Sequence, residues 1–302
     1  MNNILGPETG YVDLFMYELD EDIAKAAREN KTFQRTPIRP SSAGKCAREL
    51  YFELQQYSGR ATFDLKPWSA ETDLLLNLGH HIERHILEKL KRHFTLADVR
   101  FQQQILDFGY IEAVNDKRLS QHLEGSMDLC FWSDKWKCIA DVKSKGDNYN
   151  FRARKMKWEE DTEKLSLMSS VKQLSDRAFW VDDLPSFLNE LQDPFFESNF
   201  VQLNMYANSD FIKSRNIDHA AIIQYHKAKS KLREIRFRPS QKVFDATVDK
   251  LRNVVKAVDE DKIELAPAEY TAGSFKSRYC SFCAAKVPGS CAMVNKVKGT
   301  EE

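Results

Sequence analysis

The sequence lacks an apolar run long enough to span a membrane, and its first residues lack a basic segment followed by an apolar one. These two absences predict a cytoplasmic protein with no membrane partner. It also lacks a charge excess, because 45 Lys and Arg balance 45 Asp and Glu. Global charge therefore neither demands nor excludes a polyanionic partner. Six cysteines, without any sign of secretion, favour metal-binding or core roles over a disulfide framework.

The composition is that of an ordinary globular protein, with 302 residues, 42% apolar and 30% charged. This length suits one large domain or a core with a small appendage. Local charge is uneven: residues 137–157 hold seven basic and two acidic side chains, and residues 227–242 hold seven and one. The charged residues of segments 158–200 and 11–22 are mostly acidic. This segregation favours a basic face that meets phosphates, although a solvated helix face explains either run alone.

A β-hairpin is predicted over residues 124–143, which read EGSMDLCFWSDKWKCIADVK. With a connecting loop of two or four residues, Asp128 lies directly opposite Asp141. Lys143 then projects from the same face as Asp141. A loop of three residues would instead place Asp128 opposite Ala140 and send the two acids to opposite faces.

Two carboxylates on one face, with Cβ atoms roughly 5 Å apart, repel each other unless a cation offsets their charge. Mg²⁺ and Mn²⁺ prefer carboxylate oxygens and water, so the pair predicts a site for one of these ions. An exposed hairpin with scattered charges is the alternative. Asp141 argues against it, because it interrupts an apolar run in which a lone charge is costly.

Other patterns predict the elements around the hairpin. They are a helix capped by Ser41 and Ser42 with Cys46 in its first turns, a helix over about 70–93, strands over 101–108 and 110–113, helices over 158–200 separated by Pro185 and Pro194, a helix over 200–214, strands over 220–225 and 232–237, and a helix from Pro239 and Ser240 to about 258.

Four short motifs follow one another along these elements. They are Gly79-x-x-x-Glu83, Gly125-x-x-Asp128, Asp141-x-Lys143 and Gln202-x-x-x-Tyr206. In this order they resemble the RecB-like branch of the PD-(D/E)XK nuclease superfamily, and the resemblance covers roughly residues 70–240. It implies an α/β fold with a central mixed β-sheet flanked by helices, a restriction-endonuclease-like core. The same fold would carry a helical N-terminal part, a helical insertion and a cysteine-bearing C-terminal tail.

The resemblance also implies a role for each acid of the motifs. Asp128 and Asp141 would bind the catalytic divalent ions, and the Val142 carbonyl would add a ligand. Asp141 stands where most members of the family have glutamate. Glu83 would be the acid from the preceding helix, although the helix ligand could shift by one step to one of its histidine neighbours. Those neighbours are His80, His81 and His85.

The remaining motif residues would act on the substrate. Lys143 would orient or activate the attacking water and neutralise charge on the phosphate. Gln202 would steady the site, and Tyr206 would contact DNA near the scissile phosphate. Independently of the resemblance, phosphodiester cleavage needs an activated water and stabilised negative charge, which carboxylates around Mg²⁺ and a nearby lysine supply. The sequence offers no comparable set of a serine or cysteine nucleophile with a partnered base.

Cys280-x-x-Cys283 followed by Cys291 is a soft-metal motif that needs a fourth ligand. Cys46, in the segment CARELYF, resembles the N-terminal cysteine of the iron-sulfur subset of this family, which includes CRISPR-adaptation nucleases and the AddB nuclease domain. The resemblance implies a structural [4Fe-4S] cluster, with zinc as the alternative metal. Here the gap before Cys291 is longer than usual for that subset. Two further cysteines, at 130 and 138, are predicted to be core thiols facing opposite sides of the sheet.

The resemblance therefore implies a single nuclease domain over residues 1–302. Its parts would be an N-terminal helix over 41–69, a catalytic core over 70–150 and 200–260, a helical insertion over 151–199 and a cluster tail over 267–302.

The implied function is a metal-dependent deoxyribonuclease, an exonuclease acting on DNA ends or single strands, with a helicase, recombination or integration protein as a partner. A non-cleaving or complex-dependent DNA-binding accessory protein on the same scaffold is the alternative. The sequence leaves the oligomeric state open. The side chains predicted to bind DNA are Lys145, Arg152, Arg154, Lys155, Tyr206, Lys227, Lys229 and Lys231.

Overall fold

The computed structural model describes residues 36–61, 70–91, 99–101, 105–132, 137–145, 158–191, 194–227 and 230–269. In these ranges the chain forms seven α-helices and nine β-strands. The helices are α1 (Ala47–Tyr57), α2 (Ala70–Lys91), α3 (Trp158–Leu167), α4 (Leu184–Glu190), α5 (Pro194–Ala207), α6 (Asp210–Lys213) and α7 (Gln241–Asp259). The strands are β1 (Val99–Phe101), β2 (Ile105–Ile111), β3 (Gln121–Ser126), β4 (Leu129–Trp132), β5 (Lys137–Lys145), β6 (Val171–Ser175), β7 (Ala178–Val181), β8 (His219–His226) and β9 (Lys231–Phe237).

Seven of the strands form one sheet in the order β1-β4-β5-β8-β9-β7-β6, and β2 and β3 form a separate antiparallel pair. The sheet is mixed, because β5 runs parallel to β8 and β7 runs parallel to β9, whereas the other neighbours are antiparallel. Helices flank it. The predicted α/β class is confirmed, and the arrangement is consistent with a restriction-endonuclease-like core.

The two faces of the sheet pack against different helices. On one face, β5 and β8 contact α5, and the apolar side chains there belong to a core that α1 and α7 also join. On the other face, β5 contacts α2, where Ile86 packs against a small cluster that includes Leu129 and Val142. Successive side chains of a strand alternate between faces, so each residue of β5 is assigned to one of these two environments.

Helix α7 shows how the sequence specifies its elements. Ser240 is the N-cap residue, and its hydroxyl accepts a hydrogen bond from the Val243 N–H at 3.3 Å. Val248, Leu251 and Val255 recur at helical spacing and are buried. The helix begins and ends within one residue of the predicted bounds. The strand pair predicted over 220–225 and 232–237 is likewise confirmed as β8 and β9.

The first predicted helix is corrected at its start. Ser41 and Ser42 lie in a 3-10 turn and do not cap α1, whose N-cap residue is Cys46. The Ser42 hydroxyl instead donates to the Pro37 and Arg39 carbonyls. The chain between turn and helix passes close to α5: a Cβ added at Gly44 would lie 2.4 Å from the Ser198 Cα. This close approach separates the turn from the helix.

The prediction that residues 151–199 form a helical insertion is wrong. Beside α3 and α4, this segment contains β6 and β7, a hairpin whose second strand pairs with β9 and extends the main sheet. Both strands are short. Four of the five β6 side chains are exposed, so β6 shows no alternation of burial. A strand of this kind at the edge of a sheet has little hydrophobic pattern to distinguish it from a solvated helix.

Smaller boundary errors follow from turns. The predicted helix over 200–214 begins earlier, at Pro194, and divides into α5 and α6. The strand predicted over 101–108 covers the last residue of β1 and the start of β2, and residues 102–104 lie outside the described ranges. Strand β2 continues past Gly109, where the ladder with β3 shifts register. Gly109 has a φ of 88°, which only glycine adopts readily.

No helix in the described ranges is both long enough and apolar enough to cross a bilayer. The predicted cluster tail lies outside the described residues from position 270 onward, so Cys280, Cys283 and Cys291 do too. The division of the chain into a core, an N-terminal helix and a tail stays a prediction.

Candidate active site

The hairpin of β4 and β5 sets the geometry of the site. Leu129 pairs with Ala140 and Cys130 with Ile139, which makes Asp128 and Asp141 the next facing positions. The Asp128 Oδ2 accepts a hydrogen bond from the Val142 N–H at 3.0 Å, so the two acids do meet across the hairpin. The predicted register is confirmed.

The two hairpin cysteines also follow from this register. Cys130 belongs to the large core and Cys138 to the small cluster on the other face of the sheet. Both are buried and free, and burial raises the pKa of each thiol, that of Cys130 to about 12. They are core thiols, as predicted.

Asp141 is a buried acid without hydrogen bonds. It is 1% exposed, and among the described residues neither of its carboxylate oxygens has a hydrogen-bond partner. The Lys143 ammonium lies 2.8 Å from Oδ2, an ion pair whose geometry falls short of a hydrogen bond. Buried carboxylates are normally hydrogen-bonded, so an acid left in this state has oxygens available to a ligand.

The charges of the site act on one another. Burial raises the pKa of Asp128 well above its ordinary value, and the charges of Asp141 and Glu83 raise it further. Burial lowers the pKa of Lys143, but the charges of Asp141 and Asp128 outweigh this, so the pKa is raised overall. The two aspartates therefore favour the charged ammonium form of Lys143. One ammonium does not balance these carboxylates, and the site favours a further cation.

Glu83 approaches the site from α2. A Cβ added at Gly79, one turn earlier, would lie 3.1 Å from the Ser144 hydroxyl of β5, so the glycine lets α2 pack closely on the strand. Glu83 is 16% exposed and His80, 3.7 Å away, is 71% exposed, which makes Glu83 the inward-facing group.

The metal ligands themselves stay predictions. In the parts of the chain that the structure describes, no three His, Cys, Asp or Glu side chains are grouped closely enough to hold a metal ion together. The donor set still fits a hard divalent cation, since Asp128 and Asp141 are adjacent carboxylates and the Asp141 Oδ1 has no partner among the described residues.

Tyr206 and Gln202 reach the site from α5. The Gln202 Nε2 donates a hydrogen bond to the Tyr206 hydroxyl at 3.1 Å, and the Tyr206 ring stacks on Phe108 with centroids 6.3 Å apart. Burial raises the pKa of Tyr206 to about 12, so the phenol is neutral. Tyr206 is only 3% exposed, which places it beneath the site surface; its contact with DNA stays a prediction.

Close packing explains why position 125, three residues before Asp128, is a glycine. A Cβ at this position would lie 2.6 Å from the Tyr206 Cε1 and 3.1 Å from the Pro40 Cγ. Any side chain would push Tyr206 away from the hairpin. The sequence identified Gly125 as part of a motif, but nothing in it pointed to Pro40 as the third partner.

Three of the predicted DNA-binding lysines lie together at the end of the sheet beyond Lys143. Lys145 pairs with His226, which in turn pairs with Lys231, and Lys227 follows β8 directly. Burial lowers the pKa of Lys227. The remaining predicted basic residues lie outside the described ranges; they are Arg152, Arg154, Lys155 and Lys229.

Cys46 lies at the N-terminus of α1, 8% exposed, with a pKa raised by burial. Its sulfur accepts a hydrogen bond from the Glu269 N–H at 3.5 Å, and the Glu269 carboxylate accepts one from the Ala47 N–H at 2.9 Å. The thiol therefore faces the last described residues of the chain. The three tail cysteines follow these residues in the sequence.

Comparison with known proteins adds little to this geometry. No family model matches the chain, and no curated protein matches its sequence. Among solved structures, it is similar to the crystal structure of SSO0001, with a TM-score of 0.41 and 11% identity over 94% of this chain and 98% of that one. It is also similar to LHK-Exo in complex with dAMP, with a TM-score of 0.33 and 10% identity over 75% of this chain and 89% of that one. Both similarities are too distant to transfer a function.

Proposed function

We propose that this chain is a metal-dependent DNA nuclease of the PD-(D/E)XK class. The observation that carries the proposal is the pair of Asp128 and Asp141, which face each other across a hairpin. Asp141 is 1% exposed, its Oδ1 has no partner among the described residues, and its Oδ2 lies beside the Lys143 ammonium. A structural role would be served better by hydrogen-bonded or apolar side chains. The pair is suited to holding cations and, through them, phosphates.

Mg²⁺ or Mn²⁺, held by Asp128, Asp141, the Val142 carbonyl and Glu83, would lower the pKa of a bound water and stabilise charge on the phosphate. The protein residues do the positioning. The Val142 N–H fixes one oxygen of Asp128, and the ion pair with Asp141 fixes the Lys143 ammonium. Lys143 would orient or activate the attacking water and would neutralise the phosphate as a point charge.

Support for DNA as the substrate comes from the lysines at the end of the sheet. Lys145, Lys227 and Lys231 lie past Lys143 in the direction of the strand, where they would contact backbone phosphates next to the scissile one. We infer an exonuclease acting on DNA ends or single strands. A helicase, recombination or integration protein would then supply the DNA.

We also propose that Cys46, Cys280, Cys283 and Cys291 hold a [4Fe-4S] cluster. The buried Cys46 thiol, which faces the start of the C-terminal tail, supports this assignment. The cluster would fasten the tail to α1 and serve the fold rather than the reaction. Anaerobically purified protein should contain about four iron and four sulfide per chain. Colourless protein with stoichiometric zinc would show that the site takes the alternative metal.

The test of the nuclease is release of nucleotides from end-labelled single- and double-stranded DNA in Mg²⁺ or Mn²⁺. Wild-type protein should degrade at least one of these substrates, and Lys143→Met should not. Lys256→Met is a matched control, since Lys256 lies on α7 with a 59% exposed side chain whose ion pair is with Glu260. Tight DNA binding without cleavage under any divalent ion would favour an accessory binding protein instead.

A further inference from the structure

A buried carboxamide lies beside the catalytic lysine. Gln224 is the partner of Lys143 in the parallel pairing of β5 with β8, and it is fully buried at 0% exposure. Paired residues of neighbouring strands project to the same face, so Gln224 shares the face of Asp141 and Lys143, one strand away. The sequence motifs do not include this residue.

The orientation of the amide is fixed from its far side. The Gln224 Oε1 accepts a hydrogen bond from the Arg233 Nε at 2.7 Å, and the Arg233 Nη1 donates to the Thr162 hydroxyl on α3 at 2.9 Å. A flipped amide would set its NH₂ group against the Arg233 donor, so only one orientation is compatible with this network. The oxygen of the amide therefore meets Arg233 on β9, and the nitrogen does not.

Unpaired atoms on the two strands are complementary. No acceptor among the described residues takes a hydrogen bond from the Gln224 Nε2, and no donor among them gives one to the Asp141 Oδ1 or Oδ2. All three atoms are buried. A single water could satisfy the amide nitrogen and the carboxylate oxygens together, because they lie on one face of neighbouring strands. The water would accept a hydrogen bond from the amide and donate to the carboxylate.

We propose that Gln224 is a positioning residue of the active site, and that its Nε2 holds a water against the Asp141 carboxylate. Arg233 and Thr162 keep the amide aimed at this water. The water and Lys143 then fix the carboxylate from two sides, so that its free oxygen edge presents to the divalent ion in one orientation. The catalytic consequence rests on the proposed nuclease function, whereas the water itself does not.

The kinetic test compares two buried glutamines. Gln224→Met keeps the length of the side chain and removes the amide. Gln121→Met is the matched control: Gln121 is 5% exposed, and its Nε2 is already satisfied by the Leu119 carbonyl at 3.0 Å. We expect kcat to fall about tenfold in Gln224→Met with KM for DNA unchanged, and to stay within about twofold in Gln121→Met. Equal kcat values for the two variants would overturn the proposal.

A structural test is independent of activity and of how well the variants fold. A high-resolution crystal structure of the wild-type protein should show a water within hydrogen-bond distance of both the Gln224 Nε2 and an Asp141 oxygen. Direct contact of the amide with another acceptor, or no water between the two groups, would refute the assignment. If the water is present but the wild-type protein cleaves no DNA, the nuclease proposal fails and the bound water stands.

Discussion

Two buried aspartates of this molecule are held in opposite ways. Asp259, at the end of α7, is 8% exposed and accepts hydrogen bonds from three successive backbone N–H groups, those of Val114, Asn115 and Asp116, at 2.8, 2.8 and 2.7 Å. Burial would raise the pKa of Asp259, but these donors lower it below its ordinary value. Asp141 is buried more deeply and has no hydrogen bond from any described residue.

The contrast separates an acid that serves the fold from one that is proposed to bind a cation. Asp259 fastens the loop after β2 to the end of a helix, and its lone pairs are occupied. Asp141 has the same side chain and is buried more deeply, yet it faces a second acid. Its carboxylate has an ion pair with Lys143 but no hydrogen bond from the described residues. Burial alone therefore does not mark a catalytic carboxylate. The mark is burial together with missing partners and a like charge nearby.

The largest expected difference between the two acids is in catalysis. Asp141→Asn should lower the rate of nucleotide release at least about 100-fold, because the charged oxygen that meets the cation is lost. Asp259→Asn should stay within about threefold of wild type when assayed well below its melting temperature. Full activity in Asp141→Asn would remove the basis for the site proposed here.

The order of the two substitutions should be reversed for the free energy of unfolding, where Asp259→Asn should have the larger effect. Asp259→Asn should lose about 2–3 kcal/mol, since the new NH₂ group opposes the backbone donors of Val114 to Asp116. Asp141→Asn should be as stable as wild type or more so, because it relieves the repulsion with Asp128. Urea denaturation in the presence of a chelator measures both. A strongly destabilised Asp141→Asn would indicate that the acid holds the fold.

The variants of the two acids should also differ in how much a divalent ion stabilises them. At ten times its dissociation constant, Mn²⁺ should stabilise wild-type protein and Asp259→Asn by about 1.4 kcal/mol through preferential binding to the folded state. Asp141→Asn should gain nothing. Thermal unfolding with increasing Mn²⁺ provides the measurement, and an equal gain in all three proteins would place the ion elsewhere.

The smallest effect is a pH dependence of opposite sign at Asp128 and Asp259, measured without divalent ions. The folded pKa of Asp128 is raised, so wild type loses stability relative to Asp128→Asn as pH rises from about 4 through that pKa. The folded pKa of Asp259 is lowered, so its contribution is full above about pH 4 and disappears as pH falls through the folded value. Parallel pH profiles for the two variants would contradict the assignment.

The sequence predicted the centre of the site because its determinants are local. The pairing of Leu129 with Ala140 follows from the length of one hairpin loop, and that register brings Asp128 to Asp141. The position of Lys143 on the same face as Asp141 follows from the alternation of side chains along a strand. Gly79 and Glu83 follow from helical spacing. Each of these inferences depends on a few residues of continuous chain.

The rest could not be predicted, because it depends on contacts between distant segments. The short strand β7 is held by β9, and β6, at the edge of the sheet beyond β7, has no alternation of burial of its own. Gln224 lies in an apolar strand, and only the parallel pairing with β5 reveals that it shares a face with Lys143. The turn that brings Pro40 to Gly125 is equally non-local. Single-sequence periodicity carries no information on such pairings.

The parallel pairing of β5 with β8 also has a consequence for synthesis of the chain. The hairpin with its two acids and lysine is complete at Lys145, whereas the strand that covers its other side begins only at His219. A growing chain therefore displays the acidic motifs long before β8 and α5 can pack against them, since parallel strands need a long connection. We expect a nascent or truncated chain that ends before β8 to be unable to cut DNA. Under the proposed function, DNA cleavage would begin only after translation has passed His226.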